Sequence, residues 1–330
     1  MPRIELSKKN FFYNLDEIKK QTKSINKIAL VLKDNAYGHG LIEIAKLANE
    51  YGVKKAVVRS DKEASEVEEY FDYILVLSDI PTIVSKKIHY TINDINNIHK
   101  FPIGSLVELK VDTGMGRNGI SLSELDIAYE SIEKQGLKLK AIFTHHACAD
   151  ELDGIYEEQK KSFLQLKQKA PKGLKFHSCN SAALFREDDF DEDMARVGIA
   201  AYGCLELSHE LSDVIFKPVL SLYSTKVATR TLKQGESVGY SASYRSKNEE
   251  SVSNYDIGYS DGFLRVLSNS YETPDKIKIA GRISMDNSSF LCNKEELLIF
   301  KDAREVAKCA KTISYEILTS LKSYIKREVV

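Results

Sequence analysis

Lys33 closes an apolar run, IALVL, and is followed at once by DNAYGHG. An amine at the partly buried end of a strand loses hydration, which favours its neutral, nucleophilic form. A lysine that captures an aldehyde as an imine needs that form. The loop after it suits a bulky ligand: Gly38 and Gly40 permit tight backbone turns, and Tyr37 offers a hydroxyl to an anion. A strand-end lysine that merely reaches for water is the competing reading of the same residues.

The elements around Lys33 alternate between two periods. KIALVLKD reads as a buried strand, and LIEIAKLANEYG as a helix closed by glycine. KKAVVRS, DYILVLSD, SLVELKVDTGMG, LKAIFTHHACAD, LKFHSCNSAALF and ARVGIAAYG continue the strand-like series, with DKEASEVEEYF, LSELDIAYESIEKQG and EEQKKSFLQLKQKA as helices between them. Short strands alternating with helices imply parallel βαβ units. About eight strands over roughly 200 residues suit an α/β fold of the (β/α)8 TIM-barrel type. A doubly wound dinucleotide sheet is disfavoured, because no GxGxxG follows the first strand. After about residue 210 the segments become short, β-branched and aromatic: PVLSLYSTKVATRTL, ESVGYSASYRS, NYDIGYSDGFLRVLS, DKIKIAGRIS and SSFLCN. The expectation is a barrel over 1–210, whose first few residues can pair with a β-rich C-terminal domain over 211–330. Helix is expected to return only near the end, at SYEILTSLKSYIK.

Composition narrows the partners. The 330 residues are 43% hydrophobic and carry a net charge of −1, so a sizeable core is available and nothing favours nucleic acid or an anionic membrane. The five cysteines (Cys148, Cys179, Cys204, Cys292 and Cys309) are scattered, odd in number and without CxxC spacing. That argues against a disulfide framework or a structural zinc site. MPRIELSKKNFFYNL has no apolar stretch of signal-peptide length, and the reducing cytoplasm is the expected location.

KDNAYGHG resembles the cofactor-lysine motif of the alanine racemases, fold-type III enzymes that use pyridoxal phosphate. The resemblance recurs in order at ELKVDTGMGRNG, FTHHACAD, FHSCNSAAL, ARVGIAAYG, VGYSASY, IGYSDG, AGRISMD and ISYEIL, from Lys33 to Leu318. It implies an isomerase that interconverts L- and D-alanine, supplying D-alanine for peptidoglycan. Lys33 would carry pyridoxal 5'-phosphate as a covalent aldimine and act as one of two catalytic bases. Tyr240 would be the opposite base, reached from the second subunit of a homodimer with shared sites; Tyr244 is the nearby alternative. A free tyrosine has a pKa of about 10, so such a base needs cationic neighbours.

For the cofactor, the resemblance implies Arg196 at the pyridine nitrogen and His145 beside it. His146 is an extra histidine with no assigned role. The phosphate would be held by Tyr37, Ser181, Gly198, Ile199 and Tyr315, all neutral donors. For the substrate it implies Arg117, Met285 through its backbone N–H, Asp286, and Tyr259 with Tyr315 at the entrance. Lys110 matches a position that many members carbamylate; pairing with Asp112 is the plain alternative. Individually, Met285 also reads as core, Asp286 as a turn carboxylate and Ser181 as a loop serine. No metal site is implied.

Three departures stand out. Asp34 replaces a common alanine, SLKSYIKREVV lacks the family's Arg-Val-Pro-Arg, and residues 50 to 100 are trimmed. A carrier protein with the same barrel would lack the C-terminal domain. A decarboxylase of the same fold type would want a catalytic cysteine there, and Cys292 and Cys309 lie in no such motif.

Overall fold

The computed structural model describes residues 1–330. Strand β1 (Arg3–Leu6) is followed by eight barrel strands: β2 (Ile28–Val31), β3 (Lys55–Val58), β4 (Tyr73–Val76), β5 (Ile88–Ile92), β6 (Leu106–Lys110), β7 (Lys138–Phe143), β8 (Lys175–His177) and β9 (Ala195–Val197). They form one parallel sheet in the order β8-β7-β6-β5-β4-β3-β2-β9. Strands covered on both faces need apolar side chains on both, which is why β2 is buried throughout and reads as a continuous run. No ladder joins β8 to β9. The seam is closed instead by two backbone bonds, Arg196 N–H to the Cys179 carbonyl (2.9 Å) and Asp193 N–H to the Phe176 carbonyl (3.1 Å).

The expected barrel is therefore present, but β5 (IHYTI) is not among the strands expected from the sequence. The long segment before it contains no helix, so the strand-helix rhythm that would flag it is missing.

The C-terminal sheet contains β10 (Leu220–Leu232), β13 (Glu250–Tyr255), β14 (Ser288–Phe290), β15 (Glu296–Phe300) and β16 (Lys326–Val329), and a separate hairpin pairs β11 (Ser237–Val238) with β12 (Tyr244–Arg245). The long β10 serves two partners. Its first part pairs with β15 and its second with β13, with a register shift in each pairing. β1 joins this sheet, antiparallel to β10 and parallel to β16.

Two expectations are corrected here. The helix in SYEILTSLKSYIK stops at Ser320, and the chain ends as strand β16; a second helix, Ala303–Ala310, precedes it. The segments DGFLRVLS and DKIKIAGRIS, expected as strands, are loops with isolated bridges and a short 3-10 turn. Gly258 and Gly262 explain part of this: a Cβ on Gly258 would lie 2.3 Å from the Met285 carbonyl, and one on Gly262 2.3 Å from the Ser320 carbonyl. Such close backbone contacts shape a folded-back loop rather than a ladder. No helix is long and apolar enough to cross a membrane.

The chain leaves β2 in an unusual way. Asp34, Asn35, Ala36 and Tyr37 have φ of 54°, 56°, 51° and 53°, and Gly38 has φ of 78°. This is a left-handed turn made largely of non-glycine residues, which costs roughly 1–2 kcal/mol per residue. Outside partners hold it. Glu63 Oε1 accepts the Asp34 N–H (2.8 Å), and Asn35 Oδ1 accepts the Leu41 N–H (2.9 Å). Arg327 donates to the Gly38 carbonyl from Nε (3.0 Å) and Nη2 (2.8 Å). A Cβ on Gly38 would sit 2.0 Å from the Leu318 carbonyl. Gly38→Ala is therefore expected to destabilise the protein by roughly 2–4 kcal/mol. Urea denaturation reads this directly, and an unchanged midpoint would mean that the C-terminal helix does not clasp the turn.

Candidate active site

One cavity of about 790 Å³ opens at the C-terminal ends of the barrel strands, where barrel enzymes place their chemistry. Lys33 lines it from the end of β2, Lys110 from β6 and Arg117 from the loop beyond β6. His145 follows β7, Ser181 follows β8, and Arg196 with Gly198 and Ile199 comes from β9 and the turn after it. Tyr37 and Tyr315 complete the group. Ten of the residues singled out in the sequence thus meet in one place.

Arg196 is buried and its donors are almost all spent. Nη1 donates to the His177 carbonyl (3.1 Å) and contacts His177 Nδ1. Nη2 donates to the carbonyls of Thr144 (2.7 Å) and Ser178 (2.9 Å). Only Nε–H has no protein acceptor. No carboxylate touches the guanidinium.

A cradle of neutral donors lies beside it. Ser181 Oγ accepts the N–H groups of Gly198 (3.1 Å) and Ala200 (3.3 Å), while the Ile199 N–H has no acceptor in the chain. The Tyr37 phenol rests on Gly198: a Cβ there would be 2.8 Å from its hydroxyl. Tyr315 packs against Tyr37 with ring centroids 5.7 Å apart. Burial pushes the Tyr37 phenol up, and pushes Tyr315 up to about 12, so both remain hydroxyl donors.

The opposite wall is cationic. Burial, then Arg117 and Arg196, lower Lys110 to about 8. Burial and the same arginines with Lys110 hold His145 well below its usual value, so its ring is neutral. The Asp112 carboxylate does not pair with Lys110. It accepts the N–H groups of Gly114 (2.9 Å), Met115 (2.9 Å) and Gly116 (3.0 Å), which shapes the DTGMG loop that carries Arg117.

Four candidates lie elsewhere. Tyr240, Tyr259, Met285 and Asp286 do not line this cavity. Tyr240 is 65% exposed and Met285 60%. Tyr240 sits in a turn after Gly239, where Ser241 and Ala242 have positive φ, and its hydroxyl has no partner. Tyr244 is committed: its hydroxyl donates to Glu250 Oε1 at 2.6 Å. Tyr259 and Met285 are neighbours, because Tyr259 N–H bonds the Ser284 carbonyl (3.1 Å) and Ser260 N–H bonds the Met285 carbonyl (2.8 Å). The Met285 N–H is unspent. Asp286 accepts from the Asn287 amide at 2.7 Å.

Several residues at the site carried no assigned role. Arg59 lines the cavity and pairs with Asp34 at 3.1 Å, which gives a partner to the aspartate that replaces alanine. His177 lies within FHSCNSAAL and Glu108 within ELKVDTGMGRNG, but only the closed barrel shows what they touch. His146 packs its ring on Tyr156, centroids 4.6 Å apart, and neither ring nitrogen has a partner.

A cofactor with a phosphate, a ring nitrogen and an aldehyde matches these groups. Neutral hydroxyl donors and the unspent Ile199 amide suit the phosphate. The lone free N–H of Arg196 suits a ring nitrogen with a lone pair. The Lys33 amine suits the aldehyde. Gly198 is the tightest part of the fit, since any side chain there would collide with the Tyr37 hydroxyl. Fold and site together define a barrel enzyme of the pyridoxal-phosphate class.

The comparisons agree across the whole chain. The family description "Alanine racemase, N-terminal domain" matches residues 6–206, and "Alanine racemase, C-terminal domain" matches 219–329. An alanine racemase of a Nitratiruptor species is 41% identical over 338 residues, covering 99% of each chain. The crystal structure of alanine racemase from Bacillus anthracis with bound L-Ala-P superposes with a TM-score of 0.89 at 28% identity, covering 100% of this chain and 95% of that one. The Enterococcus faecalis alanine racemase gives 0.90 at 27%, covering 100% and 98%. The chain belongs to the alanine racemase family, and its activity is the pyridoxal-phosphate-dependent racemisation of alanine.

Gly198→Ala should weaken pyridoxal phosphate binding at least tenfold, as read by cofactor titration of the apoprotein. Equal affinity would place the phosphate elsewhere.

Proposed function

We propose that the chain racemises alanine with two bases on opposite faces of Cα, the Lys33 amine and the Tyr240 phenol of a second copy, in a cytoplasmic homodimer that supplies D-alanine for peptidoglycan. The observation that carries this reading is the convergence of Lys33, a donor-only Arg196 and the neutral cradle in one cavity, while Tyr240 stays exposed with its hydroxyl free.

Lys33 would hold pyridoxal phosphate through its amine, and Tyr37, Ser181, Gly198, Ile199 and Tyr315 would hold the phosphate. When bound, the cofactor supplies a sink for the electron pair left as the Cα proton departs. Arg196 can donate but not readily lose a proton, so it would keep the ring nitrogen unprotonated and temper that sink. His145, held neutral, adds no charge beside it. One base removes the Cα proton while the other delivers one to the far face, and the roles reverse for the opposite enantiomer.

Arg117 and the unspent Met285 N–H suit the substrate carboxylate. Tyr259 and Tyr315, with Asp286 near them, would narrow the entrance. A second copy is required because a monomer presents only one of the two bases at its cavity.

Lys110 would be carbamylated. The reaction takes the neutral amine, and burial beside two arginines lowers this lysine to about 8. The product is an anion that could pair with Arg117. Carbamylation is thus expected to increase as pH rises through about 8. Native intact-protein mass under carbon dioxide should exceed the sequence mass by one CO2, an excess that Lys110→Ala lacks; no excess over the sequence mass in the unsubstituted protein would exclude the modification.

Chiral chromatography of L-alanine and L-serine with the protein and pyridoxal phosphate tests the whole reading. D-alanine should form much faster than D-serine; D-serine ahead would keep the mechanism and change the substrate. Tyr240→Phe should abolish most racemisation yet keep the cofactor absorbance, and full activity would remove Tyr240 as a base. Mixed Lys33→Ala and Tyr240→Phe subunits should regain activity in the heterodimer, which holds one intact site. No recovery after proven exchange would place both bases in one subunit.

A further inference from the structure

Beneath Arg196 a chain of buried polar groups runs through the barrel. His177 Nδ1 contacts Arg196 Nη1, and His177 Nε2 lies 2.8 Å from Glu108 Oε2. Glu108 Oε1 is 2.7 Å from both His89 Nδ1 and the Tyr73 hydroxyl. Glu108 and His177 are essentially inaccessible to solvent, at 1% and 0% exposure. The strands explain the alignment: Glu108 from β6, His177 from β8 and Arg196 from β9 all project into the barrel interior.

Donor logic assigns every proton. A guanidinium only donates, so His177 Nδ1 must be the acceptor. The ring proton then sits on Nε2 and is donated to Glu108. A protonated ring would set an Nδ1–H against an Nη1–H. Burial would raise the Glu108 carboxyl on its own, but hydrogen bonds from His177 and His89 outweigh it and hold the group well below the usual carboxylate range. Burial and nearby Arg196 lower His177 despite its bond to Glu108. The arrangement is a carboxylate, a neutral imidazole and a guanidinium in series.

We propose that Glu108 is a positioning residue for Arg196: by accepting the Nε2 proton of His177 it leaves the Nδ1 lone pair to hold Nη1, and so fixes the guanidinium with only its Nε–H free for a ligand. The neutral ring spaces the two charges. A carboxylate bonded directly to the guanidinium would compete for the donors that the ring and the three carbonyls now take. Glu192 supports the same pattern from the other side, since it bonds Ser178 N–H and Oγ (both 2.5 Å) while the Ser178 carbonyl accepts from Arg196.

This inference rests on the cofactor-binding reading of Arg196, but its first test does not. Long-range ¹H–¹⁵N spectra of histidine-labelled holoenzyme, with His177 assigned from His177→Asn, should show His177 with a bare Nδ1 and a protonated Nε2. A protonated Nδ1 overturns the proposal whatever the activity. The second test is Glu108→Gln, which keeps the shape and removes the charge. It should lower kcat at least fivefold, change KM for alanine less than twofold, and alter the His177 signals. A Glu108→Gln protein with kcat within twofold and unchanged His177 signals overturns the proposal. Should Glu108→Gln not fold, the tautomer in the native protein still decides. Absence of pyridoxal phosphate binding by the native protein would instead strike the cofactor reading and leave the tautomer result standing.

Discussion

The left-handed turn after β2 is the constraint on which the site depends. Ala36 and Tyr37 have no local hydrogen-bonding side chain to ease a positive φ, so the turn bears a cost of a few kcal/mol that the rest of the fold must offset. The compensation is distributed: Glu63 after β3, Asn35 within the turn, Arg327 on the last strand and the Leu318 carbonyl from the C-terminal helix all engage it. The turn begins just after Lys33, the second residue beyond the strand, and returns Tyr37 to Gly198 within four residues. The strain thus couples the lysine to the anion cradle, and ties both to the far end of the chain.

Electrostatics supply the second constraint. Lys33, Arg59, Lys110, Arg117 and Arg196 outnumber Asp34, Asp150 and Glu206 around one cavity, and the other carboxylates nearby are engaged elsewhere. Asp112 is occupied by loop amides, Glu192 by Ser178 and Cys179, and Glu108 by two histidines and a tyrosine. The cavity therefore keeps a positive character that suits a phosphorylated cofactor and a carboxylate substrate. Burial first, and that arrangement with it, account for a neutral His145 and a lysine lowered to about 8. Displaced pKa values of this kind gather where charges are arranged for chemistry.

Much of this was legible in the sequence, for a physical reason. Parallel strands buried on both faces leave continuous apolar runs, and residues at their C-terminal ends must face the cavity. KIALVLKD, SLVELKVDTGMG and ARVGIAAYG therefore announced both strand and site. IHYTI was missed because no helix precedes it and its polar residues interrupt the apolar run: His89 faces the barrel interior and bonds Glu108, while Tyr90, on the opposite face of the strand, bonds Asp61. The C-terminal loops were misread because β-branched runs look alike whether they pair or fold back, and Gly258 or Gly262 decides between the two only in three dimensions. The same limit hid the Glu108–His177 contact, since the residues are 69 positions apart in sequence and meet only when the barrel closes. Arg327 follows the same limit: it lies in SLKSYIKREVV, outside any Arg-Val-Pro-Arg pattern, and 289 positions from the Gly38 carbonyl that it grips.

The C-terminal domain has two separate relations to chemistry. Tyr315 belongs to this chain's own cavity, because its helix packs on the left-handed turn. Tyr240, Tyr259 and Met285 lie outside that cavity and carry polar groups without internal partners. An exposed methionine beside the exposed Tyr259, with Tyr240 exposed as well, gains little from isolation in water, and an unspent N–H at Met285 adds a directional donor. Residues of this kind gain most when another surface covers them. On the proposed two-base reading, the base for the far face of the substrate approaches the cavity from outside the barrel strand ends that hold the lysine. The exposed group meets that requirement only if a second body brings it to the cavity. Such a requirement makes the mechanism and the quaternary structure a single question.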